Sequence, residues 1–300
     1  MKLAVRLCLV AAMAVGLWQL SHGVRSAWYE YNGFHGVRTH PSHPPAYAVA
    51  HGLRDVAFPG DSGATIRGWY LPSRTGAAVV LAGGTETDRS AMWPYAELLS
   101  AGGTGVLMFD WPGCGTSDGR VVMGEPERVA LQNGISFVLT QPDVHDQRVG
   151  VIGFSLGSYI AVLETARDPR AKLLVLEGLF DNPWIQTKAL YAPAGVLAQL
   201  GGMLSDYLAG LRPDAPRTSE HLPTLRVHSL VLVAGDADRT VSIAVSKALY
   251  DIAAEPKAFW VIRSGVHGGY LAADTTYGPR LRAIVERTLA APAAAAAAAH

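Results

Sequence analysis

From about residue 53 the chain alternates short apolar runs with longer amphipathic stretches. LRDVAFP (53–59) and IRGWYLP (66–72) read as two early strands, with a turn at Gly60-Asp61 between them. AAVVLAGG (77–84), TGVLMFD (104–110), RVGVIGF (148–154), KLLVLEG (172–178), HSLVLVAG (228–235) and KAFWVIRSG (257–265) follow, each an apolar run punctuated by Gly, Asp or Glu. Continuous apolar runs of this length predict strands buried on both faces of a parallel sheet. Between them lie segments with apolar residues at three- and four-residue spacing: 89–103, 125–142, 155–169, 242–256 and 278–290. Two of these begin beside a proline, and others end on glycine or before proline, the expected punctuation of helices. Strand and helix in alternation predict an α/β layered fold with right-handed crossovers.

Four regions stand outside the rhythm. At the start, Lys2 and Arg6 precede an uncharged apolar run from Leu7 to Leu20, and Ser21-His22-Gly23 offers small residues for a signal peptidase. Residues 1–23 therefore read as either a cleavable signal peptide or an uncleaved signal anchor, with membrane attachment through this segment in the second case. Export or membrane anchoring, of the bacterial periplasmic or inner-membrane type, is the expected location, with a cytoplasmic one left open. Residues 24–52 are rich in Gly, Pro and His without a helical or strand period, and read as a linker. Between the runs at 172–178 and 228–235, ALYAPAGVLAQLGGMLSDYLAGL is apolar over more than twenty positions. Glycines and a proline interrupt it, so residues 179–227 read as a helical cap inserted into the domain of 53–291 rather than as a second membrane span. Residues 292–300 are an Ala-rich tail.

Composition narrows the function. Acidic and basic residues balance at 25 each, so there is no basic surplus to hold a nucleic acid. There are two cysteines, and Cys8 lies in the leader, so a disulfide framework is excluded as the organising principle. His35, His40, His43 and His51 cluster along the chain, but no cysteine or carboxylate pattern accompanies them and no zinc spacing is met; no metal site is expected.

The chemistry centres on Gly153-Phe154-Ser155-Leu156-Gly157, at a predicted strand-to-helix turn. A serine there is held in a strained backbone conformation, needs small neighbours so that strand and helix can pass, and lifts its hydroxyl above the sheet. A serine hydroxyl is a weak nucleophile without a base and a group that orients the base. Asp236 and Asp238 follow the strand at 228–235, and His267 follows the strand at 257–265. All would stand at the same sheet edge as Ser155, in the chain order Ser, acid, His. Glu177, at the end of another strand, is the alternative acid. Asp110 reads as structural, accepting backbone hydrogen bonds, and Cys114 as a small buried side chain.

On G-F-S-L-G, G-D-A-D-R-T-V, V-H-G-G-Y, the FDWPGCGTSDG of residues 109–119 and GWYLP at 68–72, the chain resembles the α/β-hydrolase superfamily across roughly residues 53–290. The resemblance implies a mostly parallel sheet flanked by helices, with Ser155, Asp238 and His267 as a catalytic triad and Asp236 holding its loop. It is strongest toward esterase and lipase, dienelactone-hydrolase-like and serine-peptidase-like members. It implies no cofactor, and it disfavours dehalogenase and epoxide-hydrolase chemistry, where an aspartate replaces the serine. The oxyanion hole would use the backbone N–H of Leu156 and one from the loop after the strand at 77–84. Family members often carry His-Gly there, whereas this chain has Ala82-Gly83-Gly84-Thr85, making Gly84 the expected donor and Thr85 the neighbouring alternative. The expected reaction is hydrolysis of a carboxylic ester, with a small-molecule acyl substrate whose acyl part the apolar cap suggests is itself apolar. Peptide cleavage and acyl transfer remain open on the same triad, as does a binding protein of the same fold.

Overall fold

The structure, a computed structural model, describes residues 2–35, 39–85 and 87–290. The chain forms two compact units, one centred on a sheet (through Asn182 and again from Pro216) and one formed by the N-terminal segment with Pro183–Ala215.

The sheet unit carries eight strands where the apolar runs predict them: β1 (Arg54–Pro59), β2 (Thr65–Leu71), β3 (Gly76–Ala82), β4 (Gly105–Phe109), β5 (Val144–Phe154), β6 (Leu173–Glu177), β7 (Ser229–Gly235) and β8 (Lys257–Ile262). They form one sheet in the order β1-β2-β4-β3-β5-β6-β7-β8. β2 runs antiparallel to both β1 and β4, and the remaining pairs are parallel. Every residue of β3, β4 and β6 is buried, as strands covered by helices on both faces require. β5 begins four residues earlier than its apolar run, with a register shift against β3 between Gly76 and Ala78. Of the added residues Val144 is apolar and buried and the next three are polar, and pairing with β3, where Gly76 stands opposite Val144, draws them into the sheet.

Helices are numbered along the whole chain. Those of the sheet unit are α2 (Ala46–Ala50), α3 (Trp93–Ala101), α4 (Glu125–Leu139), α5 (Leu156–Arg167), α8 (Thr218–His221), α9 (Ile243–Ile252), α10 (Tyr270–Ala273) and α11 (Tyr277–Thr288). On one sheet face Leu81, Ile152, Val175, Val231 and Ile262 pack with Tyr277 and Leu281 of α11. Burying each such side chain stabilises the fold by roughly 1.5–3 kcal/mol, which is why the sheet edge can hold polar chemistry in place.

The helical unit contains α1 (Lys2–His35), α6 (Pro183–Tyr191) and α7 (Val196–Ala209). Two sequence expectations change here. Residues 24–52 are not a continuous linker: α1 runs through the Ser21–Gly23 stretch to His35, and Ala46–Ala50 is helical. No amphipathic period announced this helix, because its packing face is small: Gly23 and Ser26 are buried against α7, and Ser26 Oγ donates to Ala198 O at 2.7 Å. The insertion that leaves the sheet unit is also shorter than 179–227. Its flanks stay with the sheet, where Thr218 Oγ1 donates to Phe180 O at 3.1 Å and Ser219 N to Asp181 Oδ1 at 2.8 Å. Among the described residues no group of three His, Cys, Asp or Glu side chains is placed to hold a metal ion. The side chain of His35 and the Ala-rich tail at 292–300 lie outside the described residues.

Candidate active site

Ser155 separates β5 from α5 with φ 52° and ψ −112°, a conformation costly for any residue with a Cβ. The surroundings leave it no alternative. Its N–H donates to Glu177 O of β6 at 2.9 Å, and Gly157 N donates to Gly83 O at 3.1 Å. Ser158 Oγ is shared between Gly153 O at 2.7 Å and Glu177 O at 2.8 Å. The flanking glycines are steric necessities: a Cβ at Gly153 would lie 2.5 Å from Gly157 O, and one at Gly157 only 1.9 Å from Ala82 O.

β5, β6, β7 and β8 are parallel neighbours, so the loops after them meet at one edge. There His267 Nε2 stands 3.1 Å from Ser155 Oγ, and His267 Nδ1 stands 2.8 Å from Asp238 Oδ2. Asp238 has no exposed side-chain surface, whereas His267 is partly open. The buried carboxylate is well supplied with donors: Thr240 N at 2.8 Å and Val241 N at 2.9 Å on Oδ1, and the Tyr270 hydroxyl at 2.8 Å on Oδ2. Burial works to raise its pKa, but the hydrogen bond and charge of His267, with the bonds from Val241 and Tyr270, outweigh it and hold Asp238 below the usual carboxylate value. An ionised Asp238 can only accept, which places the proton of the neutral imidazole on Nδ1 and leaves Nε2 to accept from the serine hydroxyl.

Asp236 has a different place. Its Oδ1 accepts from Ser264 N at 2.6 Å, tying the loop after β7 to the loop after β8. The two loops approach so closely that a Cβ at Gly235 would lie 2.1 Å from Gly265 O. Asp110 accepts from Arg89 N at 2.7 Å and Thr116 N at 2.8 Å and pairs with the Arg89 guanidinium, fixing the glycine-rich 109–119 loop. Cys114 is buried in that loop.

The loop after β3 runs beside the serine: a Cβ at Gly84 would lie 3.6 Å from Ser155 Cβ and 3.0 Å from the Phe154 ring. Leu156 is the first residue of α5, so its N–H has no acceptor within the helix. The positive end of α5 thus faces the same space.

Glu177 does not hydrogen-bond His267. Its fully buried carboxyl accepts from the Tyr95 hydroxyl at 2.6 Å and from that of Tyr277. Burial pushes this acid up to about 7 despite those bonds. An acid whose pKa is raised by folding binds its proton more tightly in the native state. Its contribution to stability is full below the unfolded value of about 4.5 and is lost as pH rises to about 7. Glu177→Gln is therefore expected to remove a decline of about 3 kcal/mol across that window. Denaturation midpoints of both proteins from pH 4 to 8 check this; parallel curves would contradict it.

Two partners escaped the sequence reading. Tyr270 bonds the same Asp238 oxygen as His267, and Arg89 neutralises Asp110 from a separate segment. A tyrosine three residues after the histidine was the available signal for the first. Nothing local marked Arg89, 21 residues from its partner.

Comparison with known proteins identifies the family and the fold. Residues 78–298 match the Alpha/beta hydrolase family, and the chain belongs to it. Its relatives include the uncharacterised protein YfhR of Escherichia coli, 28% identical over 224 residues, covering 71% of this chain and 72% of that protein. An uncharacterised protein of Mycobacterium tuberculosis is 30% identical over 230 residues, covering 73% of this chain and 74% of its own length. Among solved structures the fold is similar to the Pyrococcus furiosus esterase Pf2001, with a TM-score of 0.71 at 19% identity, covering 84% of this chain and 96% of that one.

Proposed function

We propose that this protein is a serine hydrolase that cleaves a carboxylic ester of a small molecule through an acyl-enzyme. The observation that carries the reading is the unbroken relay from Asp238 Oδ2 through both ring nitrogens of His267 to Ser155 Oγ, at 2.8 and 3.1 Å. Similarity in fold to an esterase supports it.

In this reading Ser155 Oγ attacks the acyl carbonyl while His267 Nε2 takes its proton. The developing oxyanion is held by the N–H groups of Leu156 and Gly84, both beside the serine. His267, now charged, is stabilised by Asp238 and passes the proton to the departing alcohol. Water, deprotonated by the same nitrogen, then releases the acid and restores the serine. Asp238 remains ionised throughout, in line with its lowered pKa. The reaction needs no cofactor, because the base activates the nucleophile.

α1 anchors the protein to a membrane in the same proposal. Val5–Trp28 is a 24-residue, predominantly apolar stretch of mean hydropathy 1.6 whose large apolar side chains are exposed, long enough to cross a bilayer.

The test is a fluorophosphonate probe together with p-nitrophenyl esters of increasing acyl length. Stoichiometric labelling and ester turnover are expected. A folded protein that neither labels nor turns over any ester would overturn the reading in favour of a binding protein.

A further inference from the structure

In a water-soluble protein a helix packs its large apolar side chains inward and leaves polar ones outside. The helical unit does the reverse. On α7 the exposed side chains are Val196, Leu197, Leu200, Leu204, Tyr207 and Leu208, which share one face at three- and four-residue spacing. The opposite, buried face carries Ala198, Gly202, Ser205 and Asp206. α1 repeats the inversion, with Leu17, Trp18, Leu20, Val24 and Trp28 exposed and Gly23 and Ser26 buried. Around Gly23 and Gly201 the two helices meet through backbone and small groups, and Gly195 makes room for the Gln19 side chain. A Cβ at Gly201 would lie 2.1 Å from Gly23 O, and one at Gly23 would lie 2.8 Å from Leu197 O. Small residues inside, large apolar residues outside and a hydroxyl-to-carbonyl bond across the seam are how helices associate when the surrounding solvent is hydrocarbon.

We propose that the outer face of α7 is immersed in the acyl chains of a lipid bilayer beside α1, in one leaflet. This rests on the reading of α1 as a membrane anchor and extends it to an element some 170 residues further along the chain. The seam sets the depth. Gly195 meets Gln19 and Gly201 meets Gly23 and Ser26, so α7 runs in the same direction as α1. The Gln19 level lies nine residues inside Trp28 in a span of 24. At 1.5 Å per residue that is about 13 Å, or close to the centre of a hydrocarbon layer of about 30 Å. Val196, Leu197 and Leu200 flank this deeper stretch.

The polar groups fall where that depth requires. Tyr207 and Trp28, aromatic with a polar end, sit near the boundary, and Arg212 lies beyond the end of α7 with its guanidinium 4.3 Å over the Tyr207 ring. Arg25 is three residues from the end of the apolar span, within reach of the headgroups by extension of its side chain. Lys188 of α6 sits beside Gln199, whose Nε2 donates to its carbonyl at 2.9 Å, about one turn from the level of Arg25 and in the same reach. Length and continuity commit the surface to lipid rather than to a second copy: the face extends an apolar helix that itself matches a bilayer.

The test uses the full chain with Cys8 and Cys114 replaced by serine and alanine. Single cysteines placed at Leu17, Leu200 or Asp251 (an exposed position on α9) are labelled with bimane. Each protein is reconstituted in phosphatidylcholine vesicles with brominated acyl chains, and fluorophosphonate labelling reports that the sheet unit is intact. Loss of emission at Leu200 comparable with that at Leu17, with none at Asp251, is expected. Quenching at Leu17 without quenching at Leu200 would overturn the placement of α7 while leaving the anchor standing. No quenching at either would overturn the anchor and this inference together. Rapid disulfide formation between Leu200→Cys copies, with Leu200 unquenched, would assign the face to a second copy and likewise overturn it.

Discussion

Ser155→Ala is expected to abolish fluorophosphonate labelling and to lower ester turnover by roughly 10⁶-fold, with little change in stability. The hydroxyl is the only atom removed, and the elbow that holds it is built from backbone bonds of Ser155, Gly157 and Glu177 and from the Ser158 hydroxyl. Asp238→Asn should cost about 10⁴-fold while preserving the site's shape. The physical reason is the direction of one hydrogen bond. An amide can present its NH₂ to His267 Nδ1, which turns Nε2 from acceptor into donor and leaves Ser155 without a base. Labelling stoichiometry and kcat/KM of both variants, alongside circular dichroism, decide the matter. If Ser155→Ala retains labelling or turnover near the parent level, the nucleophile lies elsewhere. If Asp238→Asn behaves as the parent, a different acid orients the histidine; Glu177, bonded to two tyrosines, is poorly placed for that task.

Gly157→Ala is expected to destabilise the protein by more than about 3 kcal/mol, lowering Tm by at least about 6 °C. The added methyl would lie 1.9 Å from Ala82 O and 2.8 Å from Gly83 O. These are main-chain atoms of β3 and its following loop and cannot turn aside as a side chain would. Relief requires α5 to move away from the sheet, breaking the bond of Gly157 N to Gly83 O and withdrawing Gly84 from Ser155. Whatever fraction folds should therefore also lose turnover through its oxyanion donors. Gly134→Ala in α4 is the matched control. Its methyl meets only side-chain carbons at 3.4 Å or beyond, and alanine gains up to about 1 kcal/mol in helix propensity, so its Tm should not fall. Equal thermal curves for the two variants would show that the elbow is not sterically closed.

Much of the sheet unit was written in local pattern. The six apolar runs fall on β3 to β8, most plainly at β3, β4 and β6, where every residue is buried and the demand for apolar side chains falls on consecutive positions, whereas the edge strand β1 is largely exposed and its sequence is correspondingly mixed. The geometry around Ser155 was legible for a similar reason: steric closure at Gly153 and Gly157 is enforced within a five-residue stretch. His267 and the pair Asp236 and Asp238 could be named from position, since parallel strands deliver the ends of their loops to one edge, and the resemblance to the α/β-hydrolase superfamily pointed to Asp238.

What only the tertiary structure decided depends on contacts between distant segments. Tyr270 and Arg89 become partners of Asp238 and Asp110 through the folding of separate loops onto them. Position along the chain left Asp236 and Asp238 both open and the family resemblance implied Asp238; the direction of the two carboxylates, one toward His267 and the other toward Ser264 N, is set by the packing of the two loops. The pairing of α1 with α7 left the weakest trace. Its contact face is small and polar residues, chiefly glycine, alanine and serine, which carry no hydrophobic period, and its large apolar residues point outward. A sequence pattern reports how a helix differs between its faces in water; it says little when the buried face is the small one and only the partner helix, distant along the chain, reveals which face that is.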